Sequence, residues 1–295
     1  MKYLSVSEVA KKWSLSERSV RNYCAKGRIK GAFLTGKTWN IPEDAIKPNR
    51  IDEKKFSDNE LLNILKEEKD MRLKGGIYHK TQIALTYNSN HIEGSTLTEE
   101  QTRLIFETNT IGATKGVKVD DIVETNNHFK CFDLIIDNAK KPLTKKFIKE
   151  LHFILKVGTS DSLKSWFNVG DYKTRPNEVG GNETCLPENV AKEMKQLLTT
   201  YNSLKNKTIE DIIEFHYHFE CIHPFQDGNG RIGRLIMFKE CLANNIVPFI
   251  IEDEIKMYYY RGLHEWKNEK GFLIDACLSA QDKYKKYLDY FKIKY

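Results

Sequence analysis

The chain has 295 residues, of which 40% are hydrophobic, 30% charged and 11% aromatic; this balance can fill one large core or two ordinary ones and excludes global disorder. Its apolar runs fall short of the roughly 20 residues a membrane helix needs, and the start MKYLSVSEVAKKW has polar residues where a signal peptide is apolar, so a cytoplasmic protein without a membrane partner is expected. The net charge of +6 is unevenly spread: residues 1–50 hold 11 basic and 4 acidic residues, a net of +7, while the rest carries −1. The basic segment therefore calls for an anionic partner of its own, most often nucleic acid. Six scattered cysteines with no CxxC pair argue against a disulfide scaffold or a structural zinc site.

In chain order, Ser5 or Ser7 caps a short helix through Lys12, with Val6, Val9, Ala10 and Trp13 on one face. Ser16 caps a second helix to about Lys26, which Gly27 stops. That pair has helix-turn-helix spacing, and the second helix presents Arg18, Arg21, Asn22 and Lys26. A two-stranded hairpin or wing follows, turning at Thr35-Gly36-Lys37. The stretch resembles the winged helix-turn-helix of the excisionase and MerR type, which implies a DNA-binding unit over residues 1–48. The competing reading is a basic module that serves only docking or dimerisation.

Residues 49–75 read as a linker, PNRIDEKKFSD, and a connecting helix, and residues 76–295 as the main domain. Helical periodicity dominates from there: Leu61 to Lys74, Tyr78 to Ile92, Thr98 to Glu107, Asp120 to Asp137, Thr144 to Val157, Pro187 to Tyr201, Thr208 to Ile222 and Arg231 to Asn244. The expected fold class is mainly α. The exception is GDYKTRPNEVGGNETCLP, where Gly180-Gly181 predicts a β-hairpin. The tail DKYKKYLDYFKIKY reads as a solvated amphipathic helix.

The chemistry concentrates in His223-Pro224-Phe225-Gln226-Asp227-Gly228-Asn229-Gly230-Arg231-Ile232-Gly233-Arg234. A helix ends at Ile222, a turn with two glycines follows, and a second helix starts near Arg231. Gly228 and Gly230 let backbone N–H groups converge at a helix N-terminus, so the loop is built to hold phosphate. Arg231 and Arg234 are three apart on one face, within reach of the outer phosphates of a nucleotide. Asp227 supplies the one carboxylate that nucleotide-bound magnesium needs. His223 stands where an imidazole can take a proton from an incoming hydroxyl. GNGRIG satisfies GxGxxG, but no strand precedes it, which excludes a dinucleotide-binding fingerprint. His216 and His218 face different ways on a helix and are expected to be core or surface residues, not joint metal ligands.

HPFQDGNGRIGR matches every fixed position of the Fic motif, HxFx(D/E)GNGRxxR, and from about Tyr78 to Asn245 the chain resembles the Fic (Fido) family. The resemblance implies a helical core with one β-hairpin flap, and transfer of AMP from ATP to a Ser, Thr or Tyr hydroxyl of a protein target. Carried over by position, His223 is the general base, Asp227 the Mg²⁺ ligand, Gly228, Asn229 and Gly230 the phosphate cradle, and Arg231 and Arg234 the phosphate clamp, with Arg234 at the γ-phosphate. Gly230 stands where the phosphorylating Doc branch carries Lys.

Ser89-Asn90-His91-Ile92-Glu93-Gly94 resembles the family's inhibitory pattern, (S/T)xxxE(G/N), so Ser89, Glu93 and Gly94 form an internal inhibitory segment in which Glu93 can grip Arg234 bidentately. The predicted hairpin falls where the family's flap docks the target chain, which assigns Thr174, Arg175, Asn177, Glu178, Val179 and Gly180 to docking; Lys173 stands where many relatives carry Arg. Two alternatives stay open: net removal of AMP with Glu93 positioning water, and a DNA-binding regulator whose core senses nucleotide. The target, the DNA sequence and homo-oligomer formation stay open as well.

Overall fold

The computed structural model describes residues 2–25, 27–48, 60–112 and 116–295, so Lys26 and the expected linker after Pro48 lie outside the described residues. The N-terminal unit comprises β1 (Tyr3–Leu4), α1 (Val6–Trp13), α2 (Glu17–Ala25), β2 (Phe33–Thr35) and β3 (Thr38–Pro42). Ser5, rather than Ser7, opens α1 through a reciprocal capping box with Glu8. β3 pairs antiparallel with β2 and with β1, giving the order β1-β3-β2. Val9, Trp13, Leu15, Val20, Ile29 and Ile41 form a small hydrophobic cluster of its own.

The main body comprises α3 (Glu60–Met71), α4 (Ile77–Ile92), α5 (Glu99–Thr108), α6 (Val119–Asp137), α7 (Lys145–Lys156), the hairpin β4 (Glu178–Val179) and β5 (Asn182–Glu183), α8 (Pro187–Ser203), α9 (Ile209–Ile222), α10 (Asn229–Ala243), α11 (Lys256–His264) and α12 (Gly271–Tyr290). It is mainly helical. α10 is the axis: Arg231 through Leu242 are all buried, as befits a helix enclosed on every side by α4, α6, α7 and α9. Ile232, Leu235, Ile236 and Phe238 of α10 join Phe132 and Ile135 of α6, Leu155 of α7 and Phe219 of α9 in one continuous core. Burying each such side chain stabilises the fold by about 1.5–3 kcal/mol, which makes α10 a rigid platform. Gly180 and Gly181 both take positive φ, +57° and +77°, the conformation a two-residue hairpin turn requires.

The two parts touch through α2. Gly271, at the start of α12, packs so closely on the Leu15–Ser16 backbone that a β-carbon would lie 2.7 Å from the Ser16 nitrogen. Ser19 Oγ donates to Asp275 Oδ1 at 2.5 Å, and Lys47 pairs with Glu210 at 3.6 Å. Among the described residues no helix is long and apolar enough to cross a membrane.

Candidate active site

A capping box of Thr208 and Asp211 starts α9, and His223 ends it in the left-handed region at φ 49°, its N–H donating to the Phe219 carbonyl at 2.9 Å. That turn swings the imidazole off the helix axis and toward the next loop. The loop is clasped from within. Asn229 Oδ1 accepts from the Phe225 N–H and Asn229 Nδ2 donates to the Phe225 carbonyl, both at 2.8 Å. The Phe225 ring is fully buried and stacks on His152 at 4.0 Å with 3° between planes. Gly228 caps α10 at φ +83°, where a β-carbon would press on Leu155 Cδ2 at 3.2 Å. The Asn229 side chain therefore shapes the loop, leaving the cradle to the backbone donors of the first turn of α10.

Beside the loop lies a network of five charges. Lys156 Nζ donates to Asp227 Oδ2 at 2.6 Å, to Asp161 Oδ2 at 2.9 Å and to Glu124. Arg231 Nη2 donates to Asp227 Oδ2 at 2.9 Å, and its Nη1 donates to Glu124. Burial works to raise the Asp227 carboxyl, but Arg231 and Lys156 outweigh it and hold the group ionised far below the usual carboxylate range. Arg231, read from sequence as a phosphate clamp, is 3% exposed and committed to Glu124 and Asp227. Its place in the network comes from burial on the inner face of α10. Asp227 keeps an open side: its side chain is 45% exposed, and both ion pairs fall on Oδ2. A single such carboxylate at the mouth of a phosphate nest fits Mg²⁺ held jointly with a nucleotide. Among the described residues no group of three or more acidic, His or Cys side chains is arranged to hold a metal by itself.

Arg234, one turn further along α10, is 3% exposed. Its Nε donates to Ser89 Oγ at 3.0 Å, and its Nη2 donates to the Ser89 carbonyl at 2.9 Å and to Glu93 Oε1 at 2.7 Å. The bidentate grip read from sequence is replaced by a shared one, because Ser89 takes Nε and part of Nη2. Glu93 caps α4, Gly94 follows at φ +92°, and the Glu93 carboxylate lies over Gly230, where any β-carbon would overlap it. The bare Cα of Gly230 is what admits the carboxylate. Beneath Arg234, the buried Glu220 carboxyl is pushed up to about 8 by desolvation and the nearby Glu93. His216 is buried and bonds Tyr259 Oη through Nε2 at 2.6 Å, whereas His218 is half-exposed, in keeping with core and surface roles.

Burial and the Lys173 ammonium lower His223 to about 4, against the opposing pull of Glu93, the Glu220 carbonyl and Asp227, so the imidazole is neutral at pH 7. Of the hairpin residues singled out in the sequence, Glu178 and Val179 are exposed on β4 and Gly180 forms the turn. The other three also contact the protein, Thr174 and Arg175 from exposed positions and Asn177 from a half-buried one. Thr174 Oγ1 donates to the Trp166 carbonyl at 3.4 Å, Arg175 lies over the Trp166 ring at 5.1 Å, and Asn177 Nδ2 donates to the Phe225 carbonyl at 3.4 Å. On α2, Arg18 and Asn22 line a cleft shared with Tyr258 and Arg261 of α11 and Phe272 and Asp275 of α12, and Arg21 pairs with Glu17 at 2.6 Å.

Sequence reading missed Glu124, Lys156, Glu220 and His152, and noted Lys173 only for standing where many relatives carry Arg. The four missed residues stand on three separate helices, α6, α7 and α9, with no local spacing to tie those helices together. The one signal available was the residue type itself: charged or imidazole side chains at positions whose helical periodicity points inward.

Residues 142–241 match the Fic/DOC family. The chain is 32% identical over 186 residues to the protein adenylyltransferase Fic of Drosophila melanogaster, covering 60% of this chain and 36% of that protein. It is 26% identical over 190 residues to the protein adenylyltransferase fic-1 of Caenorhabditis elegans, covering 63% and 36%. It thus spans about a third of the length of these curated relatives. A Fic-domain signaling protein of Bacteroides thetaiotaomicron superposes with a TM-score of 0.59 at 28% identity, covering 78% of this chain and 90% of that one. The C. elegans Fic-1 structure, at 21% identity and a TM-score of 0.61 over 80% of this chain and 73% of that one, shares the fold. A histidine-led glycine loop on the first turn of a buried helix, matched in sequence and in fold, makes residues 142–241 of this chain a Fic/DOC-family domain.

Proposed function

We propose that this protein is an adenylyltransferase that moves AMP from ATP to a Ser, Thr or Tyr hydroxyl of a protein target and is restrained by its own Glu93. The observation that carries the reading is the loop from His223 to Gly230, with a neutral imidazole before it and the open N-terminus of α10 after it. The name shared by the curated relatives supports the same chemistry. In the reaction the target oxygen bonds to the α-phosphorus, the bond from that phosphorus to the pyrophosphate oxygen breaks, and His223 takes the hydroxyl proton. General-base assistance of this kind contributes roughly 10²–10⁴ in rate. Backbone N–H groups at Gly228, Asn229 and Gly230 receive the phosphates where the helix dipole favours anions. Arg231 serves indirectly by fixing Asp227, and Arg234 meets the γ-phosphate. Asp227 would hold Mg²⁺, which neutralises phosphate charge when bound.

Restraint follows from the same contacts. A γ-phosphate must take the guanidinium face that Glu93 Oε1 occupies at 2.7 Å, and it must do so beside a second carboxyl, Glu220. ATP then binds weakly or with its α-phosphate out of line. The hairpin β4–β5 offers a strand edge for the target chain, with Glu178 and Val179 as contact residues. Residues 1–48 serve as a DNA-binding unit, and residues 76–295 carry the transferase.

Incubating the protein with α-labelled ATP and a cell lysate tests the reading. Label on protein supports transfer. Release of AMP from a modified target favours the reverse reaction, and ATP-dependent DNA binding without labelling favours a sensor.

A further inference from the structure

Lys173 is 3% exposed, and among the described residues it has no ion-pair partner, an unusual state for a buried ammonium. Its three N–H groups go to three neutral acceptors instead: Asn177 Oδ1 at 2.7 Å, Thr184 Oγ1 at 2.6 Å and the Ile222 carbonyl at 3.4 Å. Asn177 and Thr184 flank the two strands of the hairpin and bond each other, Thr184 Oγ1 donating to Asn177 Oδ1 at 2.6 Å. Ile222 is the last residue of α9, next to His223. The Lys173 N–H also donates to the Pro224 carbonyl at 2.9 Å, one residue past that histidine. One side chain and its own amide thus tie both feet of the hairpin to both sides of His223.

We infer that Lys173 is a positioning residue for adenylyl transfer: its ammonium fastens the β4–β5 hairpin to the end of α9 and sets a fixed positive charge beside His223. This deepens the proposed activity and rests on it, since an edge that docks a target must be held in register with the base that takes its proton. The charge has a second consequence. His223 is faced by the Glu93 carboxylate at the end of α4 and Asp227 in the loop, whose charges favour its protonation, as does the Glu220 carbonyl of α9; the Glu220 carboxyl, 3.9 Å away, is itself pushed up to about 8 and is neutral at pH 7. Lys173 opposes them and helps keep the imidazole an available proton acceptor. Lys173 is itself lowered to about 8 by burial, so the device works at neutral pH and fades as the medium becomes alkaline.

Two readouts on the full chain, neither of which needs turnover, test the inference. The first is the titration of the His223 ring by NMR of histidine-labelled protein, assigned with His223→Ala. The second is amide hydrogen exchange across Glu178–Glu183. Lys173→Met should move the His223 midpoint upward by on the order of one pH unit and speed hairpin exchange at least about tenfold, while Lys173→Arg, which keeps the charge, should leave the midpoint near wild type. If Lys173→Met does not fold, Lys173→Gln, with two donors and no charge, should show the same shift. An unchanged midpoint in a folded neutral variant overturns the charge role, and unchanged exchange overturns the pin. Failure of the activity reading appears separately, as absence of AMP labelling in Glu93→Gly with Lys173 intact.

Discussion

Glu93→Gly should raise AMP transfer, although most substitutions in an active site lower it. The variant removes one carboxylate and leaves His223, Asp227 and the loop untouched. Arg234 keeps its two bonds to Ser89, at 3.0 and 2.9 Å, so the guanidinium stays aimed while its Glu93 contact at 2.7 Å is released. A charge-assisted hydrogen bond of this kind contributes about 1.5–3 kcal/mol, and about 1.4 kcal/mol is tenfold, so the gain should be roughly 10- to 150-fold. The backbone at Glu93, φ −87° and ψ 8°, suits any residue, and the change should leave the fold intact. Initial rates of α-label incorporation into a lysate or into the protein itself measure the gain, and ATP titration calorimetry measures the binding share. Glu93→Gln, which keeps size but not charge, should fall between. Rates unchanged or lower in folded Glu93→Gly, or undiminished in the double variant with Arg234→Ala, would refute the restraint.

Three further outcomes are expected. His223→Ala in the Glu93→Gly background should lose at least about 10²-fold in transfer while ATP affinity by calorimetry holds, because the phosphate cradle is untouched. The full chain should bind duplex DNA with an affinity that falls as salt rises, and Ser19→Ala, which breaks the bond to Asp275 and loosens α2 from α12, should strengthen that binding in a gel-shift assay. Burial lowers His128, His152 and His216 each to about 3. The unfolded chain takes up their protons near the ordinary value of about 6.5 and the native chain does not, so stability should fall as pH drops from about 6.5 toward 3, by roughly 2 kcal/mol per histidine at pH 5. His223, lowered to about 4, adds a similar amount, so urea midpoints at pH 7 and 5 check the sign, and His128→Gln should flatten the slope by about a quarter.

What the sequence disclosed follows from what local spacing can encode. The α9–loop–α10 unit is legible because its glycines, histidine and arginines lie within a dozen consecutive positions, and the recurrence of apolar residues at helical spacing marks α4 through α10. The two-residue strand β1 is not legible, since it exists only by pairing Tyr3 and Leu4 with Pro42 and Ile41. Nor is the charge network, whose Glu124, Lys156 and Arg231 are brought together by helix packing across more than a hundred positions. Asn229 shows a different limit: its position in the motif is clear, yet its clasp on Phe225 becomes visible only once the loop is folded. Arg18 and Asn22 read as exposed readers of DNA from α2 alone, and the neighbouring α11 and α12 alter that picture.

Adenylyl transfer is tested most directly by giving Glu93→Gly two ATP samples, one labelled at the α-phosphate and one at the γ-phosphate, and separating protein from small molecules. The mechanism predicts α-label on protein, γ-label in pyrophosphate, and loss of both signals with His223→Ala. Label from the γ-phosphate on protein would mean phosphoryl transfer, and label from neither would mean that the loop binds nucleotide without transferring any part of it.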